Sequence, residues 1–162
     1  NSYKRHAIML PQKYQLPFRI DFTAKIDFPA FLIIVGDGHL TFGLSENRKI
    51  EDIAKPTGKP NQDNKLYNNK ILFDKFVNIS ITYAFDEMQI LIDGEERFYS
   101  KKLPYMKAKN LKELNKEGFG IGFAVSKLST LSIKSIVVTK LDDNANVIRG
   151  VFEYMNQEKK ED

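Results

Sequence analysis

FRIDFTAKID, residues 18–27, alternates without a break. Phe18, Ile20, Phe22, Ala24 and Ile26 fall on one side, Arg19, Asp21, Thr23, Lys25 and Asp27 on the other. A two-residue period marks a strand with one buried face. FLIIV (31–35) follows as an uninterrupted apolar run, then Gly36-Asp37-Gly38, then HLTFGLS. β-forming runs split by a short glycine-containing link predict a hairpin. In FVNISITYAF (76–85), Val77, Ile79, Ile81, Tyr83 and Phe85 share a face. Asp86-Glu87 turns the chain into MQILIDG, where Met88, Ile90 and Ile92 alternate with Gln89, Leu91 and Asp93. Asp93-Gly94 is a tight-turn dipeptide leading into EERFYS, so these runs predict a meander with short connections.

The later chain keeps the pattern. GFGIGFAV (118–125) sets Phe119, Ile121, Phe123 and Val125 on one face and Gly118, Gly120 and Gly122 on the other. Glycines filling one face of a strand predict that another backbone or a ligand comes close there. LSIKSIVVTKL and VIRGVFEY read as closing strands joined by the turn-rich DDNAN. One helix is expected, opening at Pro104, running through MKAKNLKELNK and stopping before Gly118. Glu46 to Lys70 breaks the periodicity with prolines and many asparagines, the texture of a long binding loop.

About nine or ten strands joined mostly by tight turns predict an all-β fold, an antiparallel two-sheet jelly-roll β-sandwich with one short helix. Residues 1–155 form the expected domain and 156–162 a charged, frayed tail. PFRIDFTAKID, IIVGDGHLTFG, FVNISITYAFDEMQILIDGEERFYS and GFGIGFAVSKLSTLSIKSIVVTKL, which together span about Leu16 to Leu141, resemble the concanavalin A-like lectin/glucanase superfamily, which includes laminin G-like modules. That resemblance implies a fold shared by sugar-binding, catalytic and adhesive domains, so function must be argued from a site.

Composition narrows the chemistry. The chain lacks cysteine, which removes disulfides, thiolate metal sites and cysteine nucleophiles together. The longest apolar run, Phe28 to Val35, contains Pro29 and falls far short of the ~18 residues of a membrane span. Gly36-Asp37-Gly38 is not a phosphate loop: His39, Leu40, Thr41 and Phe42 are β-formers where a helix N-terminus would be needed. Basic residues thicken between Lys101 and Lys116, but Glu113 and Glu117 interrupt the run, so a solvated face is expected and nucleic acid is not an expected partner. The chain begins at Asn1, which suggests a domain excised from a larger protein, and its Lys/Asn/Ile-rich texture suggests a bacterial one.

No Glu-x-Asp-x-x-Glu run of the glucanase kind is present, and there is no Trp to line a glycan cleft, so an enzyme is not expected and glycoside hydrolysis is a distant third reading. No metal or other cofactor is expected, although calcium has two weak candidates. Asp142, Asn144, Asn146 and Glu153 have the spacing of a calcium loop, but Val147 stands where such a loop needs Gly; Asn61, Asp63, Asn64, Asn68 and Asn69 are of the right types. A sugar site needs aromatic faces together with amide, carboxylate or basic groups for hydroxyls. The candidates are His39, Asn47, Arg48, Tyr67, Gln89, Asp93 and Tyr99; Tyr83 belongs to the core set. The first expectation is therefore a non-catalytic, carbohydrate-binding or ligand-sensing module. The alternative is an interaction or assembly domain that engages another protein, or another domain of its parent chain, through a sheet face or edge strand.

Overall fold

The strand periodicities resolve into two facing sheets. The computed structural model describes residues 7–27, 30–36, 38–43, 65–66, 75–101, 111–125, 130–145 and 147. The elements run β1 (Ile8–Tyr14), β2 (Phe18–Asp27), β3 (Ala30–Val35), β4 (Gly38–Gly43), β5 (Lys65–Leu66), β6 (Val77–Tyr83), β7 (Met88–Ile92), β8 (Glu95–Ser100), α1 (Leu111–Glu117), β9 (Phe119–Val125) and β10 (Thr130–Lys140). A four-stranded sheet has the order β1-β9-β3-β4, and a six-stranded sheet the order β10-β2-β6-β7-β8-β5. Among the described residues, all strand pairs are antiparallel.

The alternation of the sequence becomes the core. Phe18, Ile20, Phe22 and Ala24 of β2 point inward with Val77, Ile79, Ile81 and Tyr83 of β6 and with Met88, Ile90 and Ile92 of β7. The other sheet answers with Phe31, Ile33, Val35, Leu40, Phe119, Ile121 and Phe123. Rings meet across the gap: Phe22 lies edge-on to Phe123 at 5.3 Å between centroids and to Phe31 at 6.5 Å. Edge-to-face pairs of this kind add to simple area burial. FLIIV is apolar throughout because Leu32 and Ile34, on its other face, are buried as well.

Turns fix the register. Val35 pairs with Gly38, so the glycine stretch is the hairpin corner expected from sequence. Gly36 has φ +58°, and its N–H donates to Gly120 O at 2.9 Å. Asp93 (φ +49°) and Gly94 (φ +80°) form the second tight corner, with both central residues left-handed. The Asp93 carboxylate accepts the Asn78 N–H at 2.9 Å while the Asp93 N–H donates to Asn78 O at 2.8 Å, which locks this corner to β6. Phe85 departs from expectation: β6 ends at Tyr83, Ala84 N–H turns back to Glu87 O, and Phe85 is thrown into solvent at 43% exposure.

β1 was not foreseen as a strand, because IMLPQKY lacks alternation and contains Pro11. It pairs irregularly with β9: Met9 faces Gly122 and Lys13 faces Gly120, with extra residues between. A Cβ at Gly122 would collide with Met9 Sδ and lie 3.0 Å from Ile8 O, so the glycine face of β9 exists to admit β1. The expected helix is present over 111–117, and Gly118 N–H closes it on Leu114 O at 2.9 Å. Leu111 and Leu114 pack on the core, and Asn115 Oδ1 accepts the Leu16 N–H at 2.6 Å, so the helix seals one end of the sandwich. The long segment from Glu46 to Lys70 apart from Lys65 and Leu66, the start of the expected helix, the strand expected over 147–154 (except Val147) and the 156–162 tail lie outside the described residues. Among the described residues, no helix is long and apolar enough to cross a membrane.

Candidate functional site

What alternation removes from the core, it places on the outer face of the six-stranded sheet. Arg19, Asp21, Thr23 and Lys25 of β2 stand beside Asn78, Ser80 and Thr82 of β6, as the register pairs Asp21 with Ser80 and Thr23 with Asn78. On the other flank, Ser135 pairs with Thr23 and Val137 with Asp21. Asp21, Thr23, Asn78, Ser80 and Ser135 have short side chains, so the middle of the face is left hollow. A groove of about 250 Å³ opens there, lined by these five residues together with Gly94 and the apolar residues Phe22, Ile79, Leu91 and Val137.

Its polar groups are already oriented. Thr23 Oγ1 donates to Asn78 Oδ1 at 2.8 Å, so the Asn78 amide nitrogen is directed elsewhere as a donor and the threonine oxygen keeps acceptor capacity. Arg19 Nε donates to Asp21 Oδ2 at 2.8 Å, with both side chains about two-fifths exposed. Val137 is 56% exposed, an apolar contact surface between hydroxyls. Donors and acceptors set in a shallow groove whose lining is for the larger part apolar suit a ligand that carries both hydroxyls and apolar faces.

The neighbouring half of the same face is closed. Gln89 and Tyr99 are register partners on β7 and β8, which brings two of the sequence-derived candidates together. Both are buried, at 4% and 7% exposure. Gln89 Nε2 donates to Glu96 Oε1 at 2.9 Å, and Tyr99 Oη donates to Glu87 Oε2 at 2.7 Å. Glu87 Oε1 in turn accepts the Val147 N–H at 2.9 Å, so this network also holds the chain that follows β10. Asp93 precedes groove-lining Gly94, with its carboxylate on Asn78. His39 is on β4, in the other sheet, with its backbone paired to Ile34. Asn47, Arg48 and Tyr67 lie outside the described residues, as do Asn61, Asp63, Asn64, Asn68, Asn69, Asn146 and Glu153. Asp142 and Asn144 sit in a turn closed by Ala145 N–H on Asp142 O. Among the described residues, no cluster of three or more His, Asp or Glu side chains could hold a metal ion.

Sequence reasoning passed over the groove residues, since Asp21 reads as an ordinary outward carboxylate and Asn78 as a polar position between the core residues of its strand. The signal was there in a weaker form: Thr23, Asn78, Ser80 and Ser135 are small outward residues on three strands that become neighbours once the pairing is known.

No family model matches the sequence, and no curated protein matches it. Solved structures do. An unverified glycosyl hydrolase from Parabacteroides distasonis superposes with a TM-score of 0.59 at 13% identity, over 84% of this chain and 83% of that one. CG-16, a homodimeric agglutinin from chicken liver, gives 0.51 at 13% identity, over 83% of this chain and 100% of that one. Chicken galectin 2 gives 0.48 at 13% identity, over 83% and 98%. The first two superpositions establish a jelly-roll, lectin-like β-sandwich; at such low identity they establish the fold alone.

Proposed function

We propose that this chain is a non-catalytic carbohydrate-binding domain of the concanavalin A-like lectin/glucanase superfamily, and that its ligand lies along the groove on the six-stranded sheet. The observation that carries the reading is the Asp21–Thr23–Asn78–Ser80–Ser135 strip, in which Thr23 is held on Asn78 and Asp21 on Arg19, flanked by exposed Val137. Sugar hydroxyls both donate and accept, and this strip offers both functions within one shallow concavity. The mechanism is reversible seating of one or a few sugar units, without covalent chemistry.

The carboxylates support the non-catalytic half of the proposal. A retaining hydrolase needs two carboxyl groups about 5–5.5 Å apart on either side of the scissile bond. Here Asp21 is held by Arg19, Asp93 by the Asn78 N–H, Glu87 by Tyr99 and Val147, and Glu96 by Gln89. Among these described carboxylates, Asp93, Glu87 and Glu96 hold the sheet or its corners, and Asp21 is paired along its own strand.

The test is a thermal-shift screen against neutral and acidic oligosaccharides, with calcium and with chelator, because a ligand that binds only the folded state raises the melting temperature. A saturable, calcium-independent shift is expected, weakened about threefold to tenfold in Ser135→Ala and in Asn78→Ala, as loss of a hydrogen bond dictates. A flat response to every sugar, or release of reducing ends during incubation, would overturn the proposal.

A further inference from the structure

Close in sequence to groove-lining Asn78 and Ser135, though not themselves part of the groove lining, stand an aromatic ring and a cation. Phe76 immediately precedes β6, stands two residues before Asn78 and is half-buried. Lys134 Nζ lies 4.1 Å from the centroid of the Phe76 ring. The register of β10 against β2 shifts between Ile133 and Ser135, so Lys134 is the extra residue of a bulge beside groove-lining Ser135. A bulge re-aims a side chain, and here it brings an ammonium group over the ring. Lys25 continues the outward row of β2 two residues beyond Thr23, and Lys75 adjoins Phe76; both are exposed. The carboxylates of the adjoining corner are occupied: Asp93 accepts the Asn78 N–H, and Glu95 lies 3.6 Å from Arg97.

We infer that Lys134, seated on Phe76 and supported by Lys25, forms a subsite beside the groove for an anionic substituent, a carboxylate or sulfate ester, on the bound sugar. The inference rests on the carbohydrate-binding reading and specifies the ligand class as acidic glycans. A lysine free in solvent sacrifices rotamer entropy each time it binds an anion. The cation–π contact takes up part of that cost in advance, because the ring fixes the position of the ammonium while its N–H groups remain able to donate. The contact uses the ring face and leaves hydrogen-bonding capacity for an anion.

The experiment compares three oligosaccharides of one backbone, neutral, carboxylated and sulfated, by calorimetric titration against wild type, Lys134→Gln and Lys134→Arg. Wild type is expected to prefer one or both anionic forms, and the stronger of the two identifies the substituent. Lys134→Gln is expected to reduce that preference about fivefold, the scale of a partly exposed ion pair. Affinity for the neutral sugar is expected to be unchanged, and the salt dependence of anionic binding to fall. Lys134→Arg keeps both charge and ring contact and is expected to retain the preference. Equal preference in wild type and Lys134→Gln, or stronger binding of the neutral form, would overturn the anionic subsite while leaving the groove intact. Absence of binding by all three sugars would overturn both.

Discussion

Gly36 and Gly94 occupy the same kind of backbone state in different surroundings, so alanine at each separates two costs. Gly36 has φ +58° and Gly94 φ +80°, and an L side chain in the left-handed region costs about 1 kcal/mol or slightly more. At Gly94 a Cβ would meet nothing within 4 Å, so that backbone cost is the whole effect. At Gly36 the Cβ would sit 2.7 Å from Phe119 Cδ1. Phe119 is 2% exposed within the core, so its ring cannot swing into solvent. Overpacking of that kind adds about 1–3 kcal/mol. Gly94→Ala is therefore expected to destabilise by about 1 kcal/mol and Gly36→Ala by about 2–4 kcal/mol. For a chain of this length those values correspond to melting-point losses of about 3 °C and roughly 5–15 °C. The assay is paired thermal and urea unfolding, with Phe119→Leu as the third corner of a double-mutant cycle. The smaller side chain is expected to relieve part of the Gly36→Ala penalty and none of the Gly94→Ala penalty. Equal destabilisation by the two alanines would refute the packing argument at the hairpin corner.

Tyr99→Phe removes the hydroxyl that donates to Glu87 Oε2 and is expected to cost about 1–2 kcal/mol, read as a lower urea midpoint, with sugar affinity unchanged. Reduced affinity at unchanged stability would return Tyr99 to the binding surface. Phe22→Ala deletes a ring that touches both Phe31 and Phe123 across the sandwich and is expected to cost about 3–5 kcal/mol by the same measurement; a loss below 1 kcal/mol would mean that the two sheets are not clamped there.

The parts of the fold legible in the sequence are those where a local rule and the global packing agree. Phe18–Asp27 alternates because one face of β2 meets the opposite sheet, and Asp93-Gly94 turns because both residues adopt positive φ. β1 was hidden for the opposite reason. Its pairing with β9 skips residues, its inward and outward positions do not alternate, and its partner announces it only through Gly120 and Gly122. The groove was less legible than the fold, because its residues are contributed by β2, β6 and β10, and their adjacency exists only once register is fixed. Composition favours the large aromatic or amide as a ligand contact, yet Gln89 and Tyr99 are drawn into buried hydrogen bonds with carboxylates, while Ser135 and Thr23 matter because they leave space.

This division of one sheet face bounds the affinity that the site can reach. Buried polar groups persist when paired, so the Gln89–Glu96 and Tyr99–Glu87 side of the face is a fixed wall and ligand contact falls to the open strip. A strip of short side chains can make roughly four direct hydrogen bonds to a sugar, each worth about 1 kcal/mol net, which corresponds to a dissociation constant on the order of a millimolar. A fivefold gain from Lys134 brings an acidic sugar to a few tenths of a millimolar and no further. Occupancy at lower ligand concentrations therefore depends on repetition, of the sugar along a polymer or of the groove across linked copies, where effective concentration multiplies weak single contacts. An isolated domain that bound a monosaccharide at nanomolar concentration would contradict that limit, and with it the placement of the ligand on this open half of the sheet.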